Sequence, residues 1–136
     1  MLTQKRASEL SSEEIIELIS KSKKKTIVRA YIAGELGNIG IENMEGYNTE
    51  FEFVGTDKFG VLFGNYEYIK GILSHSNVKY SKLEFIAHNS AIPLTDISRY
   101  NARIEPGAII REYVEIGDNA VIMMGAVINL GSVIGE

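Results

Sequence analysis

Residues 104–136 read Ile104-Glu-Pro-Gly-Ala-Ile, Ile110-Arg-Glu-Tyr-Val-Glu, Ile116-Gly-Asp-Asn-Ala-Val, Ile122-Met-Met-Gly-Ala-Val, Ile128-Asn-Leu-Gly-Ser-Val and Ile134-Gly-Glu. Isoleucine opens every hexad, and the fifth position is always small or β-branched: Ala108, Val114, Ala120, Ala126 and Ser132. A helix repeats about every 3.6 residues and a strand about every 2, so a period of six fits neither. It fits a chain that turns after each short strand, with one inward side chain per wall and a small residue per corner. That is a parallel β-helix, whose coils stack at about 4.8 Å.

The rest of the chain is composed like an ordinary globular protein. Of 136 residues, 45% are apolar and 24% charged, and a net charge of -4 gives no general attraction to nucleic acid. The longest apolar runs fall well short of the ~20 residues of a membrane-spanning helix, and Lys5 and Arg6 are not followed by the apolar core of a secretory signal. The absence of cysteine removes disulfides, thiolate metal sites and a cysteine nucleophile. A cytoplasmic location is expected, with no nucleic-acid or membrane partner and no metal.

Ahead of the repeat, residues 1–95 are expected to form an N-terminal α/β module and residues 96–136 the start of an incomplete β-helix. Ser11 and Glu14 are spaced as a capping box, and Ile15, Ile16, Leu18 and Ile19 form an apolar stripe at helical spacing. The expected helix runs from about 12 to 24, with Lys21 and Lys23–Lys25 at the end where cations favour its dipole. Thr26–Ala33 reads as a strand, Asn38–Thr49 as loop with room for a short strand at Ile39 and Ile41, and Glu50–Val54 and Gly60–Phe63 as a hairpin about Gly55-Thr-Asp-Lys. Asn65 can cap a second helix carrying Tyr68, Ile69, Ile72 and Leu73 on one face, and Lys82–Ala87 is a further strand. The expected fold class is thus an α+β module in the order α-β-β-β-α-β, followed by the first coils of a parallel β-helix. Asn89–Asn101, with Pro93, reads as the connector.

Three segments carry a family resemblance: Asn89-Ser-Ala-Ile-Pro-Leu, Asn101-Ala-Arg-Ile-Glu-Pro-Gly-Ala-Ile-Ile-Arg-Glu, and Met123-Met-Gly-Ala-Val-Ile-Asn-Leu-Gly-Ser-Val-Ile-Gly-Glu. Together with the Ser11-Ser-Glu-Glu-Ile-Ile opening of the first helix, they resemble the tetrahydrodipicolinate N-acetyltransferases of the hexapeptide-repeat superfamily. The resemblance implies a left-handed coil, a homotrimer, and a reaction in diaminopimelate and lysine synthesis. In that reaction acetyl-CoA, a co-substrate and not a bound cofactor, acylates the amine of a small dicarboxylate. It also implies that a catalytic aspartate and most of the CoA groove lie in coils beyond Glu136. The chain is therefore expected to be an N-terminal portion, inactive alone. The alternatives are a non-catalytic assembly or trimerisation piece, or a relative using succinyl-CoA.

Within the chain, binding a dicarboxylate calls for arginine, whose fork meets a carboxylate with two hydrogen bonds. Arg103 and Arg111 open the coil; either contacts substrate, or each pairs with Glu105 or Glu112. Asn129, just after an inward isoleucine, bonds substrate or satisfies a corner backbone group. Glu112 is a weak candidate for the base that neutralises the amine, against a solvated glutamate. Met123 and Met124 are expected to fill gaps between coils, with an acyl or pantetheine path as the other reading. His75 and His88 lie outside the repeat and lack carboxylates at metal-ligand spacing.

Overall fold

A computed structural model describes residues 5–136. The chain divides into two compact units, one formed by Lys24–Ser90 and the other joining the segment through Lys23 to Ala91–Glu136. This division departs from the expected one. The boundary falls at Ser90/Ala91 instead of residue 95, and the first helix groups with the coil.

In the Lys24–Ser90 unit, four strands form an antiparallel sheet. They are β1 (Lys25–Gly34), β2 (Phe51–Gly55), β3 (Phe59–Asn65) and β4 (Val78–Ser90), in the spatial order β2-β3-β1-β4. The helix α2 (Tyr66–Leu73) covers one face, its first turn capped by Asn65, whose side-chain oxygen accepts from the Glu67 N–H at 3.2 Å. Asn65 itself is buried, and its amide donates to the Glu50 carboxylate at 3.1 Å, so the cap costs no unpaired polar group. Alternation decides what is inside. Val28, Ala30 and Ile32 of β1 point to α2 and pack with Leu62, Ile69, Ile72 and Phe51. Each fully buried isoleucine or leucine contributes roughly 1.5–3 kcal/mol relative to exposure.

Two expectations in this unit need correction. Ile39 and Ile41 form no strand; the segment makes 3-10 turns at Leu36–Asn38 and Ile41–Asn43, separated by Gly40 at φ 74°. The left-handed glycine breaks extension there and lets Leu36 and Ile41 both reach the core. The last strand runs the whole of Val78–Ser90, not only 82–87, because β1 offers a partner along that length, from Gly34 opposite Val78 to Lys25 opposite Ser90.

In the other unit, α1 (Ser12–Lys21) begins at the capping box: Ser11 Oγ accepts from the Glu14 N–H, and the Glu14 carboxylate accepts from the Ser11 N–H. It stops at Lys21, three residues before the expected end, with Ser22 extended as its C-cap. Ile15 and Leu18 are half-buried, whereas Ile16 and Ile19 are exposed, so only part of the apolar stripe is used. The Ile15 Cδ1 lies 2.6 Å from where a side chain on Gly131 would begin, and Ser8 Oγ donates to Glu115 at 3.1 Å. These contacts place the segment against the coil and explain the grouping.

The coil consists of six two-residue strands: β5 (Arg103–Ile104), β6 (Ile109–Ile110), β7 (Glu115–Ile116), β8 (Val121–Ile122), β9 (Val127–Ile128) and β10 (Val133–Ile134). They pair in parallel three hexads apart, β5 with β8, β6 with β9 and β7 with β10, so Ile104 lies over Ile122, Ile110 over Ile128 and Ile116 over Ile134. This is the strand pairing of early β-helix coils, with three walls and isoleucine inside each. Ile110, Val114 and Ile122 form the buried centre. The corners obey a second rule. The fourth hexad position has positive φ at Gly107 (86°), Tyr113 (62°), Asn119 (66°), Gly125 (79°) and Gly131 (87°). Backbone hydrogen bonds from Ala108 to Glu105 (3.3 Å) and from Ala126 to Met123 (3.2 Å) close turns whose third residue is left-handed.

Candidate functional site

The connector and the second wall build the most elaborate polar arrangement in the coil unit. Thr95 N–H donates to the Ile110 carbonyl and Glu112 N–H to the Pro93 carbonyl, each at 3.0 Å, so the connector pairs antiparallel with β6, Leu94 opposite Arg111. Pro93, lacking an N–H, serves here as an acceptor only. On the other side of β6, Arg111 N–H donates to the Ile128 carbonyl at 3.1 Å. The β6–β9 register extended by one residue sets Arg111 beside Asn129.

Just beyond Thr95, Asp96 caps the 3-10 turn Ile97–Arg99, accepting from Ser98 Oγ at 2.7 Å and from Ser98 N–H at 2.9 Å. The hydroxyl bond, then the backbone bond, hold the Asp96 carboxyl below its ordinary range. The turn delivers Arg99 to Glu112, Nη1 to Oε2 at 3.2 Å, with Thr95 Oγ1 3.5 Å from the same nitrogen and the Tyr100 ring 5.5 Å from the guanidinium carbon. Tyr100 is anchored in turn, its hydroxyl donating to the Val114 carbonyl at 2.7 Å.

The sequence candidates therefore separate. Arg111 and Asn129 lie in register on one wall, while Arg103 lies on the preceding wall, where its Nε meets Glu105 at 3.2 Å and its Nη2 stands 4.0 Å from Met123 Sδ. Arg103 thus has the local partner that a surface reading gave it. Arg111 does not pair with Glu112, because Arg99 takes that carboxylate. Glu112 is ion-paired with Arg99 while its side chain stays partly exposed. The Asn129 carbonyl oxygen accepts from Leu130 N–H at 2.9 Å, which leaves its amide N–H groups for another acceptor. Met123 and Met124 do not pack between coils: they are 55% and 68% exposed. They occupy outward positions, and the inward isoleucines already fill the space. His75 Nδ1 accepts from Asn77 N–H at 3.1 Å, and His88 Nδ1 lies 3.4 Å from Thr26 Oγ1. Arg99 was missed from sequence. The Asp96-x-Ser98 cap just before it was the available signal, since an Asp-capped turn fixes the direction in which the chain leaves it.

A hexad-repeat coil joined to an α/β unit defines a protein of the hexapeptide-repeat class. The tetrahydrodipicolinate succinyltransferase N-terminal family matches residues 10–97, and the chain belongs to that family. It is 69% identical over 91% of its length to the 2,3,4,5-tetrahydropyridine-2,6-dicarboxylate N-acetyltransferase of Fervidobacterium nodosum, covering 50% of that protein. Proteins of the same name from Thermosipho melanesiensis and Thermotoga maritima are 58% and 54% identical over 83% and 86% of the chain, with 46% and 48% of their own lengths covered. The chain spans about half the length of the curated relatives it matches.

Proposed function

We propose that this chain is the substrate-side part of an N-acetyltransferase that transfers acetyl from acetyl-CoA to the amine of tetrahydrodipicolinate, in diaminopimelate and lysine synthesis. The observation that carries this reading is the 69% identity to a relative bearing that activity in its name. Arg111 is the substrate-carboxylate contact: Glu112, the acid next to it in the chain, is held by Arg99 and does not neutralise the Arg111 guanidinium. Asn129, level with it, presents an amide N–H to the same carboxylate. Arg103, already paired with Glu105, is the secondary contact. Glu112 is engaged by Arg99, and the base is sought outside these residues. The exposed Met123 and Met124 offer the flexible apolar surface a pantetheine arm uses.

The finer features of the proposal are those of the family: a left-handed coil, a homotrimer with acyl-CoA between neighbouring coils, and a cytoplasmic enzyme. Among the described residues no helix is long and apolar enough to cross a membrane. The family description speaks of a succinyltransferase and the relatives' names of acetyltransferases, so succinyl-CoA is the second donor to test.

The test uses a chimera of this chain with the remaining half of the Fervidobacterium nodosum relative. It is expected to turn over acetyl-CoA faster than succinyl-CoA with the dicarboxylate acceptor. Arg111→Ala is expected to raise the acceptor KM about 10- to 100-fold, the loss of a charge-assisted hydrogen bond, with the acetyl-CoA KM unchanged. Unchanged acceptor affinity in both Arg111→Ala and Arg103→Ala removes the carboxylate assignment. A folded chimera that uses neither donor removes the acyltransferase reading.

A further inference from the structure

Among the described residues, the sheet of the α/β unit ends on one long edge with no strand beside it. β4 pairs with β1 on one side and ends the order β2-β3-β1-β4 on the other, so its outward N–H and C=O groups form a strand-length template. Between Tyr80 and Phe85 its register with β1 is free of bulges, so this stretch stays straight enough to receive another strand. It exposes large apolar side chains among its polar ones: Tyr80 is 77% exposed and Phe85 58%, while Leu83 between them is packed on the core.

Lys82 is the residue that ordinarily blocks such an edge, since a cation with no answer opposite it repels pairing. Here an answer exists within the same strand. In an antiparallel pair of identical strands related by a two-fold axis through Leu83, Lys82 of each copy faces Glu84 of the other, a carboxylate that also accepts from Arg29 of its own chain at 3.0 Å. The same operation sets Ser81 opposite Phe85. Lys82 and Glu84 share the face of Tyr31 and Arg29, their β1 neighbours, whereas Leu83 and Phe85 share the α2 face with Val28 and Ala30. One register therefore pairs the opposite charges twice and continues the apolar layer across the axis. Neighbouring registers about a two-fold lose this: an axis through Lys82 or Glu84 sets like charges opposite themselves.

We infer that the β4 edge is a self-recognition surface, where two copies of this chain join their sheets antiparallel about Leu83. The inference is independent of the acyl-transfer reading, because it concerns only the Lys24–Ser90 unit.

The chain has no cysteine, so register can be read by introduced thiols. Directly opposite residues in an antiparallel pair have Cβ atoms about 4.5–5.5 Å apart, close to disulfide reach. A mixture of Ser81→Cys and Phe85→Cys chains, treated with diamide, is expected to give a heterodisulfide at least roughly tenfold above what either variant forms alone. Both positions are surface-exposed, and circular dichroism checks that the variants fold. Adding Lys82→Glu to both, which sets a carboxylate at that position against Glu84 of the other copy, is expected to lower the yield by about tenfold or more. No heterodisulfide above the single-variant level overturns the inference, as does a yield indifferent to Lys82→Glu. An edge that takes an extended strand of another protein instead gives the first of these negative results.

Discussion

In the coil, Ile104, Ile110 and Ile116 each lie over the isoleucine three hexads later, and the same short strand, corner and wall recur along the chain. In the α/β unit, Val28, Ala30 and Ile32 are covered by Leu62 from a distant strand and by Ile69 and Ile72 from the helix after it. Both regions bury β-branched and aliphatic side chains, but the coil does it by repetition and the sheet by long-range closure. Repetition spreads stability over stacked layers, each dependent on its neighbours. Closure concentrates it in a few residues with nearly no exposed surface.

The contrast can be broken at its strongest point. Leu62→Ala leaves a cavity in the middle of the sheet core and is expected to cost about 2–5 kcal/mol. Urea unfolding should show the loss, and hydrogen exchange should show it in β1, β3 and α2 while coil amides keep their protection. Equal loss of protection in both regions would mean that the chain unfolds as one cooperative unit, and the contrast would be one of sequence pattern only.

A smaller effect sharpens the coil's corner rule. A side chain at Gly125 meets nothing within 4 Å, so Gly125→Ala tests the left-handed backbone alone, with an expected cost of about 1–2 kcal/mol. Gly131→Ala adds a close approach to the end of Ile15, which must rotate away. It is expected to be the more damaging of the two, and to loosen α1, which Gly125→Ala leaves alone. Thermal melts with far-UV circular dichroism distinguish them. Equal losses would mean that α1 contributes nothing to the corner it touches.

The smallest effect is expected with pH. Lys5 donates to the Glu14 carboxylate, and this bond, ahead of the Ser11 N–H bond, holds the Glu14 carboxyl below its ordinary value. A depressed folded-state value means that the stabilisation is complete above the unfolded-state value and is lost as pH falls through the folded one. An NMR titration of Glu14 should therefore show a midpoint below that of a solvent-exposed glutamate, and Lys5→Ala should raise it. An ordinary midpoint in the unaltered chain would remove the contribution.

Particular residues explain how much could be read in advance. The hexad isoleucines and the Ser11–Glu14 cap were legible because each is a local rule: the partner lies within one turn or in a later repeat. The Asn65 cap and the hairpin about Gly55-Thr-Asp-Lys were legible for the same reason. The fourth-position corner was visible less clearly, since Tyr113 and Asn119 interrupt its glycines although both adopt the glycine conformation. Among the candidate site residues, the alignment of Arg111 with Asn129 comes from the repeat once the walls are counted. The capture of Glu112 by Arg99 does not, because a connector without a period gives no account of where its side chains land.

The amino-acid sequence alone determined that residues 104–136 coil, where α1 and α2 begin, and which side chains face inward along the hexads. These depend on periodicity and on hydrogen bonds spanning a few residues. Only the tertiary structure decided that β1, first in the chain, runs in the interior of the sheet, that α1 joins the coil, and that β4 is left with an open edge. Such outcomes turn on which distant surfaces exclude water together, a competition among long-range partners that no local propensity settles.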